Sequence, residues 1–340
     1  MDPVVHIGKK AAPKPTWLKV RAPGGPEYTA LKARVQRLGL HTVCEEARCP
    51  NVGECWAEGT ATLMLMGDVC TRGCRFCAVE SGKAGRPLEP DDPENVGVAV
   101  HEAGLRYVVL TSVNRDDLAD QGAHHYAACV RAIKTRRPDI LVEVLTPDWQ
   151  GSPVLCDVLA DSGADVLAHN VEVVERLQRT MRDARCAYAT SLDTLRHYRA
   201  RAPDQHTKSS IMLGCGETTE EVMATLRDLR EVGVSLVTLG QYLRPTPKHA
   251  PVERWVHPDE FALYKREAEA MGFLFAASGP LVRSSYRAGE VFMEGLLRGQ
   301  SAAVSELAAA PRARGAEHLD PVLQDPLDKG MGRHAAIEVV

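Results

Sequence analysis

Cys70-Thr-Arg-Gly-Cys74-Arg-Phe-Cys77 sets three thiols on one short stretch, a C-x3-C-x2-C. Three thiolates so placed suit three irons of a [4Fe–4S] cube, because soft sulfur ligands favour such clusters. No fourth cysteine stands nearby, so one iron stays open, and an open coordination position separates a reactive centre from a closed structural one. A second triplet precedes it: Cys44, Cys49 and Cys55, a C-x4-C-x5-C, again without a close fourth. Six of the ten cysteines thus lie between Cys44 and Cys77. Clustered cysteines in a reducing compartment bind metal or act in redox chemistry rather than form a disulfide scaffold. A zinc site would take paired C-x2-C knuckles and four ligands, which neither triplet offers.

The elements that must hold these thiols follow from the apolar pattern. Short apolar or β-branched runs recur at Thr62–Met66, Tyr107–Ser112, Ile140–Thr146, Asp165–His169, Ser209–Leu213 and Leu236–Leu243. Between them lie helical stretches. Asp92–Gly104 carries Val96, Val100 and Ala103 and stops at glycine, and Thr218–Gly233 opens with a Thr218/Glu221 capping box. Strand-then-helix units imply parallel strands, since each crossover helix returns the chain to the same end of the sheet. Periodicity alone leaves open a partial barrel or a doubly wound sheet. Polar residues gather just past the strand ends, at Asn114–Asp117, Pro147–Asp148, Asn170–Glu172, Gly214–Glu217, Gln241–Arg244 and Ser278–Ser285. The carboxyl edge of a parallel sheet is where such folds place their sites, so one shared site is expected there. A Pro-, Gly- and Lys-rich arm over residues 1–30, a short helix around Leu31–Leu38 and a charged tail beyond about Pro311 complete the reading.

Composition excludes several roles. The 340 residues are 44% hydrophobic and 25% charged, as a globular protein requires. With 41 basic and 45 acidic residues the net charge is −4, so neither nucleic acid nor an anionic membrane is an expected partner. No apolar run approaches the ~20 residues of a membrane span. Met1–Lys14 has neither a signal-peptide core nor a transit-peptide pattern, and a cytoplasmic location is expected.

The aromatic Phe76 before the last cysteine completes a C-x3-C-x2-C similar to that of the radical S-adenosylmethionine (SAM) superfamily. The preceding triplet, in His41-Thr-Val-Cys-Glu-Glu-Ala-Arg-Cys-Pro-Asn51 and followed by Gly59-Thr-Ala-Thr62, resembles lipoyl synthase more specifically. The likeness continues through Lys14–Lys19, Arg106–Leu118, His169-Asn-Val-Glu172, Thr238–Pro245 and Gly279-Pro-Leu-Val-Arg-Ser-Ser-Tyr286. It covers about residues 14–290 in the family's order. One departure is Cys215, where the family commonly has an apolar residue; packing is expected of it.

The resemblance implies a partial (β/α)6 barrel over 61–278, an N-terminal extension over 1–60 carrying the first triplet, and a C-terminal segment over 279–340. Cys70, Cys74 and Cys77 would hold the SAM-cleaving cluster. Cys44, Cys49 and Cys55, with Ser285 as fourth ligand, would hold an auxiliary [4Fe–4S] cluster that gives up sulfide. The implied activity inserts sulfur at C6 and C8 of an octanoyl group. That group rides on lipoyl carrier domains, such as 2-oxoacid dehydrogenase E2 subunits and the glycine cleavage H protein. Electrons would come from a ferredoxin- or flavodoxin-type donor. A mitochondrial matrix suits this chemistry in a eukaryote. Asn170 and Glu172, with Arg182 and Lys208 behind them, are the candidate SAM contacts, and no role is assigned to Cys129, Cys156 or Cys186. Two alternatives are another two-cluster sulfur-inserting radical SAM enzyme, which would place its extra cysteines differently, and an iron–sulfur electron carrier. The carrier would need two closed sets of ligands, and both triplets lack a fourth cysteine.

Overall fold

Six of the apolar runs become strands of one sheet. The computed structural model describes residues 13–19, 24–37, 42–46, 49, 51–57 and 59–285. In chain order the strands are β1 (Thr60–Leu65), β2 (Val69–Cys70), β3 (Glu80–Ser81), β4 (Tyr107–Ser112), β5 (Leu141–Leu145), β6 (Val166–Ala168), β7 (His206–Leu213), β8 (Leu236–Gln241) and β9 (Phe275–Gly279). β2 and β3 form a separate pair around the cysteine loop, and the other seven form a parallel sheet in the order β1-β4-β5-β6-β7-β8-β9. A doubly wound sheet reverses its order at a switch point; this one never does. Right-handed crossovers that all advance the same way put their helices on one face, and the sheet curls around the other. The result is a partial barrel rather than a closed one, with a seventh strand beyond the six expected. β9 reads Phe-Ala-Ala-Ser-Gly, mostly half-buried at the sheet's edge, too poor in β-branched residues to announce itself.

The helices obey their end signals. Asp92–Ala103 stops at Gly104, whose φ is 66°, and Thr219–Glu231 starts from the Thr218/Glu221 capping box. The arm departs from expectation: Thr16–Leu18 is a 3-10 turn, and the first helix already spans Pro26–Arg37. Pro26 at its first position is the start signal, since proline lacks only an N–H that has no partner there. Among the described residues no helix is long and apolar enough to cross a membrane.

Residues paired across a parallel sheet share a face. The register Tyr107↔Leu141, Val109↔Glu143, Glu143↔Val166, Ala168↔Lys208 and Lys208↔Leu236 therefore strings one set around the barrel's interior. Low in that interior Lys208 Nζ donates to both Glu143 oxygens, at 2.9 and 2.7 Å, and Tyr107 Oη donates to Glu143 at 2.8 Å. All three are buried. A buried pair is tolerated while complete, but one partner left alone is costly. Glu143→Ala is expected to lower stability by about 3–5 kcal/mol, and Glu143→Leu with Lys208→Met to recover most of that. Urea midpoints of the two variants against the unaltered chain check it.

Candidate active site

The cysteine loop is fastened from every side. Cys70 ends β2, and the backbone returns through Ser81 of β3, whose hydroxyl donates to Arg72 O at 3.0 Å. Thr71 N donates to Asn114 O at 2.9 Å, Gly73 N to Asp183 Oδ2 at 2.8 Å, and Arg75 N to Met181 O at 2.8 Å. The Arg72 guanidinium, buried, reaches Asp116 at 3.0 Å and Asp148 at 2.7 Å, past the ends of β4 and β5. His249 donates a ring N–H to Cys77 O at 2.9 Å. Two sulfurs accept backbone N–H groups: Cys70 Sγ from Arg72 and Asn114, both at 3.4 Å, and Cys74 Sγ from Asp183 at 3.3 Å. Burial pushes the Cys77 thiol up to about 11.

All three cysteines line one cavity of about 450 Å³ at the carboxyl ends of the strands, within the ordinary range for ligand pockets. Its wall takes Asn114, Asp148, His169, Asn170, Glu172 and Arg182, so the polar groups past several strands do converge. Gly214–Glu217 does not join them: the Glu217 carboxylate turns back to accept from Gly214 N and Cys215 N at 2.7 and 2.9 Å. Glu172 is non-glycine at φ 67°, the left-handed region, which a bulky residue adopts only where its surroundings enforce it. Burial raises its carboxyl, against the pull of Arg182. Asn170 Nδ2 donates to Glu172 Oε1 at 3.2 Å. Lys208 is a correction: it stands near the start of β7, spent on Glu143, and takes no part in the lining.

Cys186 is a further thiol at the site. Read as a role-free thiol, it lines the cavity beside Cys74 and accepts from Arg72 Nη1 at 3.4 Å. The Cys74 thiol donates to it, which pushes Cys74 up and, with Arg182 and Arg72, brings Cys186 down. No local motif marks it; only the fold brings it there. Cys129, Cys156 and Cys215 are buried in the core, as expected.

The first triplet sits beside the same mouth. Cys44 lies on the turn of helix Val43–Glu46 and Cys55 on helix Val52–Ala57, with Cys49 N donating to Cys44 O at 3.0 Å between them. Burial raises the Cys44 and Cys49 thiols. None of the three lines the cavity, but Val43 does, and so does the strap Val282–Ser285. Asn51 Nδ2 ties strap to triplet by donating to Leu281 O at 2.7 Å, across 230 residues of sequence. Arg283 lies close enough to Cys49 for its charge to favour the thiolate. Gly240, at the end of β8, lets the strap pass: a Cβ there would stand 2.0 Å from Val282 O. Tyr286 and the tail lie outside the described residues.

The residues suit an iron–sulfur cube with a small chelating ligand. Ser112 Oγ and Asn114 Oδ1, both buried and in the lining, have no hydrogen-bond partner, which marks room for a polar guest. Among the described residues no three His, Cys, Asp or Glu gather around one point as ligands of a single ion do; the cysteines of a cube bind different irons.

Comparison with known proteins agrees. Residues 64–229 match the family model of the radical SAM superfamily, and residues 4–49 match that of the N-terminal domain of lipoyl synthase. A solved structure of Streptococcus suis SuiB bound to its precursor peptide SuiA has a TM-score of 0.51 at 10% identity. It covers 74% of this chain and 52% of that one, a likeness of fold alone. The partial barrel and its three-cysteine loop are those of a radical SAM protein, a class that implies a [4Fe–4S] cluster and SAM. A lipoyl synthase of Sorangium cellulosum is 55% identical over 93% of this chain and 87% of its own length. That of Halorubrum lacusprofundi is 56% identical over 84% and 92%, and a mitochondrial one of Schizosaccharomyces pombe is 52% identical over 84% and 79%. The chain belongs to the lipoyl synthase family.

Two outcomes follow from the geometry. Gly240→Ala must lift the strap, at the 1–3 kcal/mol typical of overpacking, so the amides of 281–285 should exchange about five- to a hundredfold faster. Amide exchange read by mass checks it, with β7 as the unaffected control. The second concerns pH. Burial, helped by Arg182, pushes His169 down from 6.5 to about 4. Between those values the unfolded chain binds the extra proton, so this group's stability is complete above pH 6.5 and is lost as pH falls toward 4. The loss amounts to about 3 kcal/mol at most. Urea unfolding of the metal-free chain across that window should show this slope, and His169→Gln should flatten it.

Proposed function

We propose that this chain inserts two sulfur atoms, at C6 and C8, into an octanoyl group carried on a lipoyl domain. In this reading Cys70, Cys74 and Cys77 hold the cluster that binds SAM, while Cys44, Cys49, Cys55 and Ser285 hold a second, sulfur-giving cluster. The observation that carries it is the strap. It brings Ser285 into the wall that Cys70, Cys74 and Cys77 also line, while Asn51 ties the same segment to the first triplet. A carbon chain in that cavity would lie between the two cysteine sets, as two successive reactions on one substrate require.

When bound, the clusters and SAM supply a carbon radical and the sulfur that captures it. The protein's part is placement and exclusion. Glu172 and Asn170 present acceptors to a cationic ligand, and Arg182 faces a carboxylate. Arg72 and Asp183 fix the loop so that the thiolates keep their spacing. Thr62, Met64, Val113, Leu145 and Met212 give the wall a largely apolar side for the acyl chain, and a closed apolar site keeps water from a reactive carbon. The division into 1–60, 61–278 and 279–340 goes with this reading. So do octanoylated E2 and H proteins as substrates, a ferredoxin- or flavodoxin-type reductant, and a location in the bacterial cytoplasm or the mitochondrial matrix.

Anaerobic incubation with SAM, dithionite and an octanoylated carrier peptide, read by mass, should show two added sulfurs. Cys74→Ala should release no 5′-deoxyadenosine. Cys49→Ala and Ser285→Ala should still release it while yielding no product with two sulfurs. Full product from Cys49→Ala would place the sulfur donor elsewhere.

A further inference from the structure

Among the described residues Arg182 makes no ion pair at the cavity wall, though its charge is felt by Glu172 and Cys186. Its Nη1 donates to Gln178 Oε1 at 3.1 Å and to Ser191 Oγ at 2.7 Å, both neutral acceptors. Gln178 is locked, because its Nε2 donates to Val171 O and Val173 O at 2.9 and 2.6 Å, which turns Oε1 toward Arg182. Ser191, fully buried, accepts from Arg182 and must send its own hydrogen elsewhere. Its neighbour is His169 Nε2 at 3.0 Å. That nitrogen accepts only when the ring is neutral with its hydrogen on Nδ1, and Nδ1 lies 2.8 Å from Thr146 O, which can only accept. Each hydrogen in the row therefore has one direction: Arg182 to Ser191, Ser191 to His169, His169 to the Thr146 carbonyl.

We propose that Ser191 and His169 are positioning residues for Arg182, orienting its guanidinium so that its remaining N–H groups take the carboxylate of SAM. The row starts at Thr146, just past the end of β5, so the aim of the arginine is set by the barrel backbone rather than by its own flexible stem. This rests on the reading of Arg182 as a SAM contact. Ser191 itself does not line the cavity, so it acts only through Arg182.

The test uses cluster-loaded enzyme without reductant, with SAM affinity measured by equilibrium dialysis in Arg182→Ala, Ser191→Ala and Ser191→Thr. Arg182→Ala and Ser191→Ala should both weaken SAM binding. The serine variant should lose about tenfold, the size of one charge-assisted hydrogen bond, and Ser191→Thr should restore it. In turnover, Ser191→Ala should raise KM for SAM and leave kcat at saturation unchanged, with iron content unaltered. Weakening in Arg182→Ala alone overturns the positioning role and leaves the contact standing. Unchanged binding in both variants overturns the contact and the positioning role together. Loss of iron in Ser191→Ala in step with SAM affinity also overturns it, since the hydroxyl would then be holding the fold.

Discussion

Arg72 carries a positive charge into the protein between two cysteines, and the charge is sustained there by Asp148, fully buried, and Asp116. Burial alone would disfavour the charged guanidinium and raise both carboxyls; the pairing outweighs it, holding Asp116 down to about 2. Because those aspartates follow β4 and β5, the cysteine loop is bolted to the ends of two neighbouring strands. Arg185 extends the lattice by bridging Asp116 and Asp183, and Asp183 in turn receives Gly73 N. Removing Arg72 would leave Asp148 buried without its cationic partner, so the loop and the strand ends are fixed together.

The strap depends on that arrangement from the other side. It lies over the mouth that the cysteine loop also lines, and besides the Arg283 bond to Gln241 O it is set by a polar latch and an absent side chain. Asn51 supplies the first, Gly240 the second. The barrel thus offers a cavity with one wall contributed by residues far apart in sequence. Val43 reaches that wall from the N-terminal side and Val282–Ser285 from the C-terminal side.

Much of this was legible in the sequence because the determinants were local. Thiol spacing marked both triplets, and β-branched runs marked six strands whose outer faces pack against helices. What escaped reading was set by topology. Lys208 was expected behind Asn170 and Glu172 as a SAM contact. Its place near the start of β7, opposite Glu143 two strands away, decides otherwise. Cys186 and Cys74 are distant in the chain and meet only through the fold. Glu172 at φ 67°, like Trp149 and Gln150 at 48° and 49°, takes a backbone that its residue type disfavours. Tertiary contacts impose that conformation, and no propensity announces it. The strand order itself settled the choice between barrel and doubly wound sheet, which periodicity had left open.

The Asn51–Leu281 latch also sets an order of assembly. During synthesis both cysteine triplets leave the ribosome early, and residues 281–285 long after them. The cysteine loop gains its anchors as β4, β5 and the Asp183 segment emerge, in that order along the chain. The segment that closes over the first triplet arrives last, after the whole barrel, and closing so long a loop carries the largest entropic cost of any contact described above. A nascent chain therefore passes through a stage in which the Cys70–Cys77 loop is framed while Cys44, Cys49 and Cys55 still lack their cover.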